Sequence, residues 1–192
     1  EGDPICQGTG TLWKKSSFMA IGMWREDLKL WQDIELHIRS LLWPMKYIKR
    51  MDLTPDIFLR ISDVSLSRTG FNSLPKLQSR INVFEYTCIT LLQKNKGKEY
   101  KESLAYMAWD IVMGAINSSQ FTEANNLLQF CKEYNVFSDE EINRLKNYLL
   151  IRKLKMYKIK PINNYYYKKA SAITFEPVAT IGKITYKKAV VV

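Results

Sequence analysis

Histidine, cysteine, proline and glycine are all scarce in this chain. Its 192 residues include one histidine, 3 cysteines, 6 prolines and 8 glycines. So little proline and glycine argues against a disordered chain. A hydrophobic content of 46% with 12% aromatic residues is also well above that of disordered chains. We therefore expect a folded globule, and a chain of this length buries roughly two thirds of its unfolded surface.

The cysteines offer neither a disulfide framework nor a zinc motif. Cys6, Cys88 and Cys131 are odd in number, widely spaced and without a Cys-x-x-Cys pair. Cys88 and Cys131 fall on predicted apolar stripes, which favours core positions over a nucleophilic role. The sequence therefore predicts an intracellular, reducing compartment or a virion.

Long apolar segments are absent as well. Charged residues interrupt every hydrophobic region before it reaches the roughly 18 to 20 residues that a spanning helix needs. The sequence predicts that the protein is not integral to a membrane. Because it begins at Glu1 without a methionine, we also expect a trimmed or processed chain.

Side chains suited to catalysis are few and poorly placed. Most hydrolases and transferases need a nucleophile beside a base, or paired carboxylates. His37 is the only histidine and lies within a predicted amphipathic helix, where we expect it at the surface or its boundary. The glycines before Lys14-Lys15 do not match the phosphate-loop pattern, because the second glycine does not directly precede the lysine. We expect a non-enzymatic protein with no cofactor and no metal.

Apolar residues recur at intervals of three and four over most of the chain, as in amphipathic helices. Pro44 and the polar 94–98 turn mark two helix ends, while Thr54-Pro55 and Ser73 mark two helix starts. We therefore predict a mainly α fold of five to six helices, over about residues 24–42, 55–66, 74–93, 100–115, 120–134 and 139–160.

The last of these helices has the clearest local signals. Ser138 and Glu141 form a capping-box pattern, and three acids occupy the first turn, where the helix dipole favours negative charge. Its apolar stripe runs toward Pro161. We expect a cluster of cations at its negative end, namely Arg152, Lys153, Lys155, Lys158 and Lys160.

The two ends of the chain differ from the helical middle. Glycines and weak periodicity predict an extended N-terminal arm over residues 1–22, ahead of a helical domain over 23–160. Asn163-Asn164 favours a turn, and the Tyr, Thr, Ile and Val content beyond it predicts strands. The sequence thus predicts a basic C-terminal extension over 161–192 with a short β-ribbon. Such a ribbon is marginal alone, so we expect it to pair with the body or with another copy of the protein.

Positive charge is confined to the last quarter of the sequence. Residues 1–143 contain 17 Lys and Arg against 18 Asp and Glu, whereas residues 144–192 contain 12 against 1. The net charges are therefore −1 and +11. A chain with so uneven a charge distribution is expected to bind a polyanion through its C-terminal segment.

Cations interleaved with aromatic residues are typical of nucleic-acid contacts, because cations release counterions from phosphates and aromatic rings stack on unpaired bases. The sequence therefore predicts a nucleic-acid-binding structural or assembly protein that self-associates, with RNA favoured over DNA. Frequent Lys, Asn, Ile and Tyr also fit a viral origin. The candidate binding residues are Arg152, Lys153, Lys155, Lys158, Lys160, Tyr165, Tyr166, Tyr167, Lys168, Lys169, Lys187 and Lys188.

Three alternatives remain open from the sequence. The basic helix could lie on an anionic membrane surface, since it also carries Leu150, Leu154 and Met156. The protein could be a protein–protein interaction module that binds no nucleic acid. Finally, the surplus charge could serve solubility alone.

Overall fold

The computed structural model describes residues 11–44, 46 and 73–172, and these form helices and short connections. A 3-10 turn at Met156–Lys158 separates the last two helices. The predicted mainly α class is confirmed. The predicted helix at 55–66 and the ribbon beyond residue 172 lie outside the described residues. The α-helices of the described ranges are α1 (Lys15–Ala20), α2 (Gln32–Leu42), α3 (Leu74–Gln93), α4 (Lys101–Asn117), α5 (Phe121–Glu133), α6 (Asp139–Lys153) and α7 (Lys160–Ser171).

Helix α4 lies at the centre of the packing. It contacts α3, α5 and α6, and α5 also contacts α6. Ile111 and Ile116 of α4 are fully buried, as is Leu145 of α6. Phe84 of α3 meets Phe130 of α5 edge to face, with ring centroids 5.8 Å apart. The predicted stripes of these four helices therefore form one apolar core.

Four consecutive helices end in a residue with left-handed backbone. At the end of α3, for example, the Lys96 amide donates to the Leu91 carbonyl at 2.8 Å. This is the Schellman arrangement, which satisfies carbonyls at the helix end and turns the chain sharply. The left-handed residues of α3 to α6 are Asn95, Ser119, Asn135 and Lys155, with φ of 57°, 62°, 54° and 59°.

Helix α2 begins later than the apolar spacing predicts. It starts at Gln32 instead of near Trp24, and it ends at Leu42 before Pro44, as expected. The residue before it, Trp31, has a left-handed φ of 65°, which breaks a continuous helix. The Trp31 ring lies 4.8 Å from the Arg80 guanidinium of α3. This tertiary contact outweighs the local preference for helix.

The predicted extended arm contains a short helix, α1, and it covers His37. The Trp13 ring stacks on the His37 ring with centroids 6.2 Å apart. Thr11 Oγ1 lies 3.1 Å from His37 Nε2. The expected surface or boundary position of His37 is therefore wrong, because the arm folds over this side chain and buries it. Burial also lowers its pKa.

The prediction of one helix over 139–160 is wrong, because α6 is followed by the 3-10 turn and α7 begins only at Lys160. Helix α6 ends at Lys153, and Lys155 is left-handed. Pro161 then lies in the first turn of α7, where a missing amide hydrogen costs nothing. The turn predicted at Asn163-Asn164 is therefore wrong, since both residues lie within α7. The described part of the predicted 161–192 extension is likewise helical up to Ser171 and forms no strand.

Helix α7 packs back on the helical body. It contacts α6, and the Trp109 indole of α4 donates to the Ala170 carbonyl at 2.9 Å. Arg144 of α6 donates to the Ala172 carbonyl at 3.1 Å, which gives the end of α7 a second partner. Ala170 itself is fully buried. These contacts fix the position of the residues that follow the 3-10 turn.

Candidate nucleic-acid interface

The cationic residues of the C-terminal quarter lie on α6, the 3-10 turn and α7. We call residues 144–172 the basic segment, because they contain nine Lys and Arg and no Asp or Glu. Helices α6 and α7 contact each other, and the 3-10 turn contacts both. The fold therefore brings cations from three successive elements to one part of the molecule.

The acids just before the basic segment have local partners. The Glu141 carboxylate accepts from the Ser138 amide at 2.7 Å, which completes the predicted capping box. Glu140 pairs with Arg144. Asp139 lies 3.2 Å from the Lys132 ammonium group. These acids are occupied at the start of α6, so the cations at its other end are not neutralised by them.

Arg152 mainly makes contacts within the protein and offers little free charge to a ligand. Its guanidinium donates to the Asn117 carbonyl at 2.9 Å and lies 4.2 Å from the centroid of the Tyr157 ring. The Asn117 side chain in turn accepts from the buried Tyr148 hydroxyl at 3.0 Å. Arg152 thus satisfies a carbonyl at the end of α4 and links it to the end of α6. It is only half-buried, but two of its interactions are internal.

The other predicted cations that the structure describes are exposed. Lys160 lies at the positive end of α7, and the first turn of α7 contains no acid. The expectation that Lys160 lies at the negative end of a helix is therefore wrong. Lys168 and Lys169 follow on the same helix, about 12 Å further along its axis. The exposed lysines of the candidate set are Lys153, Lys155, Lys158, Lys160, Lys168 and Lys169.

The three successive tyrosines have different environments. Tyr165 is 54% exposed, and the Lys169 ammonium lies 4.6 Å from its ring centroid. Tyr166 packs against the core. Tyr167 is 45% exposed and meets the Tyr148 ring edge to face at 5.8 Å. Tyr165 therefore offers the most accessible ring, Tyr167 offers part of one, and Tyr166 is a packing residue.

Large aliphatic side chains lie among these lysines. Leu150, Leu154 and Ile159 are 50%, 59% and 52% exposed. Leu150 and Leu154 are four residues apart and so lie on the same side of α6 and its end. The basic segment thus has an aliphatic part around the end of α6 and an aromatic part on α7.

Some predicted residues fall elsewhere, and some relevant ones were missed. Lys187 and Lys188 lie outside the described residues. Arg144 and Lys146 belong to the basic segment but were left out of the candidate set, although the charge count included them. The contact of Tyr157 with Arg152 has no sequence signal beyond their five-residue spacing.

The two described cysteines lie in the core. Cys88 and Cys131 are free and buried, on α3 and α5. Burial raises the pKa of Cys88 to about 11 and raises the pKa of Cys131 further. Both thiols therefore stay protonated at neutral pH, which agrees with the predicted packing role. Cys6 lies outside the described residues.

No helix formed by the described residues has both the length and the apolar character needed to cross a bilayer.

No protein-family model matches the chain, and comparison with curated proteins and with solved structures finds no significant match.

Proposed function

We propose that this protein is a non-enzymatic structural or assembly protein that binds single-stranded nucleic acid, with RNA favoured over DNA, through its basic segment. The observation that carries the proposal is a run of exposed lysines without an intervening acid, next to the exposed Tyr165 ring. The association of several copies and the viral origin suggested by the composition stay predictions.

The lysines would supply most of the affinity. Each phosphate that a lysine neutralises releases condensed counterions, and this gain falls as the salt concentration rises. Six exposed lysines, if all contact phosphates, give a slope of about −4 for log affinity against log salt on a single strand. Tyr165 would add base stacking, which depends much less on salt.

Fluorescence anisotropy with a labelled single-stranded RNA tests the proposal over a range of salt concentrations. Changing Lys153 and Lys158 to Ala is expected to make the slope shallower by about 1.4. The matched control changes Lys94 and Lys96, which are exposed lysines of the α3–α4 turn. Equal losses in both pairs would contradict a specific role for the basic segment, and no binding at low salt would remove the proposal.

A separate pair of variants tests whether a base stacks on Tyr165. Tyr165→Ala should lower RNA affinity by about 1 to 3 kcal/mol if a base stacks on its ring. Tyr166→Phe is a suitable comparison, because Tyr166 packs against the core and is expected to leave affinity unchanged. A Tyr165→Ala variant with unaltered affinity would restrict the contact to phosphates.

A second candidate function is binding to an anionic membrane surface. The exposed Leu150, Leu154 and Ile159 favour it, because lysines around aliphatic side chains suit a layer of acidic headgroups over acyl chains. Leu154→Ser should then abolish binding to anionic vesicles without changing the charge. If binding to vesicles resists high salt while RNA binding is absent, this second function replaces the first.

A further inference from the structure

A shallow groove lies between α1 and the residues that follow α2. It belongs to residues 1–143, whose net charge is −1. Its volume is about 450 Å³ and it is open to solvent, so a ligand held there would stay partly exposed. The connection between the two helices contains Gly22, whose backbone is left-handed with φ of 87°. The residues that line it are Lys14, Ser16, Ser17, Ala20, Trp43, Pro44 and Lys46.

The lining combines one aromatic ring with cations and hydroxyls. Trp43 is 49% exposed, although a ring of this size is usually mostly buried in a folded protein. Lys14 and Lys46 are exposed at the same groove, and Ser16 and Ser17 add two hydroxyl groups. None of the described residues that line the groove is acidic. The chemistry is therefore suited to a ligand with a flat ring and a negative charge.

We propose that the groove holds one unpaired nucleotide of the same single-stranded nucleic acid, with its base on the Trp43 ring and its phosphate at Lys14 and Lys46. This inference rests on the proposed function of the basic segment and extends the bound strand to a second contact. A base stacks on indole, and lysines and hydroxyls are ordinary phosphate partners. A polyanion without rings would use only the lysines and would leave the exposed face of Trp43 in water.

Nuclear magnetic resonance spectroscopy of the full chain observes the groove directly. Titration with uridine 5′-monophosphate should shift the indole N–H signal of Trp43 in a saturable way. Trp43→Leu identifies that signal among the five tryptophans. Polyglutamate is the comparison probe, because it carries charge without bases. An equal shift with polyglutamate, or no shift with the nucleotide, overturns the assignment of the groove to a nucleotide.

Anisotropy with single-stranded RNA then shows whether the groove and the basic segment hold one strand. Trp43→Leu should weaken binding by at least about fivefold, whereas Trp43→Tyr should retain most of the affinity because it keeps a stacking ring. Trp24→Leu is the matched control, because Trp24 is 41% exposed but does not line the groove.

The outcomes distinguish this inference from the proposed function. RNA binding that depends on Lys153 and Lys158 but not on Trp43 overturns the groove and leaves the basic segment. Absence of RNA binding in the unaltered chain removes the proposed function. In that case a nucleotide shift at Trp43 would make the groove a site for free nucleotides, which overturns the single-strand proposal.

Discussion

Replacing either of two lysines at the end of α6 with glycine is expected to have opposite effects on stability. Lys153 is the last helical residue of α6, while Lys155 is left-handed with φ of 59°. A left-handed backbone costs a residue with a Cβ atom about 1 to 2 kcal/mol, a cost that glycine avoids. Glycine loses about 0.5 to 1 kcal/mol more conformational entropy on folding. Lys155→Gly should therefore raise the free energy of unfolding by about 0.5 to 1 kcal/mol.

The same change at Lys153 should destabilise the protein. Glycine within a helix is about 1 kcal/mol less favourable than lysine, and a cation in the last turn also interacts favourably with the helix dipole. Both variants remove one positive charge from the same acid-free segment, so relief of repulsion between lysines is similar in the two. The two variants should therefore differ in free energy of unfolding by about 1.5 to 2 kcal/mol, and this difference measures the effect of backbone conformation at the two positions.

Urea unfolding followed by circular dichroism measures this difference. Thermal unfolding should give midpoints a few degrees apart, since about 1 kcal/mol corresponds to about 2 to 4 °C in a domain of this size. If Lys155→Gly is no more stable than Lys153→Gly, α6 continues through Lys155 as the sequence pattern suggested, and the left-handed turn is refuted. RNA affinity should fall by the same amount in both, because each loses one phosphate contact.

Three further changes test other parts of the fold. Ser138→Ala removes the hydroxyl that accepts from the Glu141 amide, while the backbone amide of residue 138 can still donate to the Glu141 carboxylate. This change should cost about 1 kcal/mol in a urea titration, whereas Asn143→Ala on the exposed face of α6 should be near neutral. Leu145→Ala should cost about 2 to 5 kcal/mol, because its side chain is fully buried in the core. His37 is buried with a lowered pKa, so the unfolded chain binds its proton more readily. The free energy of unfolding should therefore fall as the pH drops below 6.5. His37→Gln should remove this part of the pH dependence of stability.

Local side-chain signals explain the parts of the fold that the sequence predicts well. The Ser138 capping box depends on residues three positions apart, so its contacts are encoded within one helical turn. The stripes of α3 to α6 are similarly local, and Cys88 and Cys131 lie in the core where periodicity puts them. The exposure of Lys153 to Lys160 also follows from composition, since lysine is rarely buried without a partner.

Contacts between distant residues explain the parts that the sequence does not predict. Trp31 interrupts the predicted helix because its ring packs with Arg80 of another helix. Helix α7 replaces the expected turn because Pro161 can start a helix, and Trp109 holds its far end. Charge alone made Arg152 a candidate for phosphate contact, but the free carbonyl of Asn117 is visible only in three dimensions. For the same reason Pro44 indicated only the end of α2, and no sequence signal marked Trp43 as the side of a groove.

The charge distribution along α6 links these findings to binding. The acids at the start of α6 interact with Ser138, Arg144 and Lys132. Each acid therefore has a nearby partner, and these pairs lie at the opposite end of α6 from the exposed lysines. Within the described residues, no lysine from 153 to 169 forms an ion pair with a carboxylate. No carboxylate of the described ranges therefore serves as their counterion, and a bound polyanion would release the ions that solution supplies. It follows that moving an acid into the segment, as in Asn164→Asp on α7, should weaken RNA binding more than the same change at Asn143. Asn143 is also exposed but lies within one turn of the engaged acids. Equal effects at the two positions would mean that net charge alone governs binding, and the location of the lysines would then have no special role.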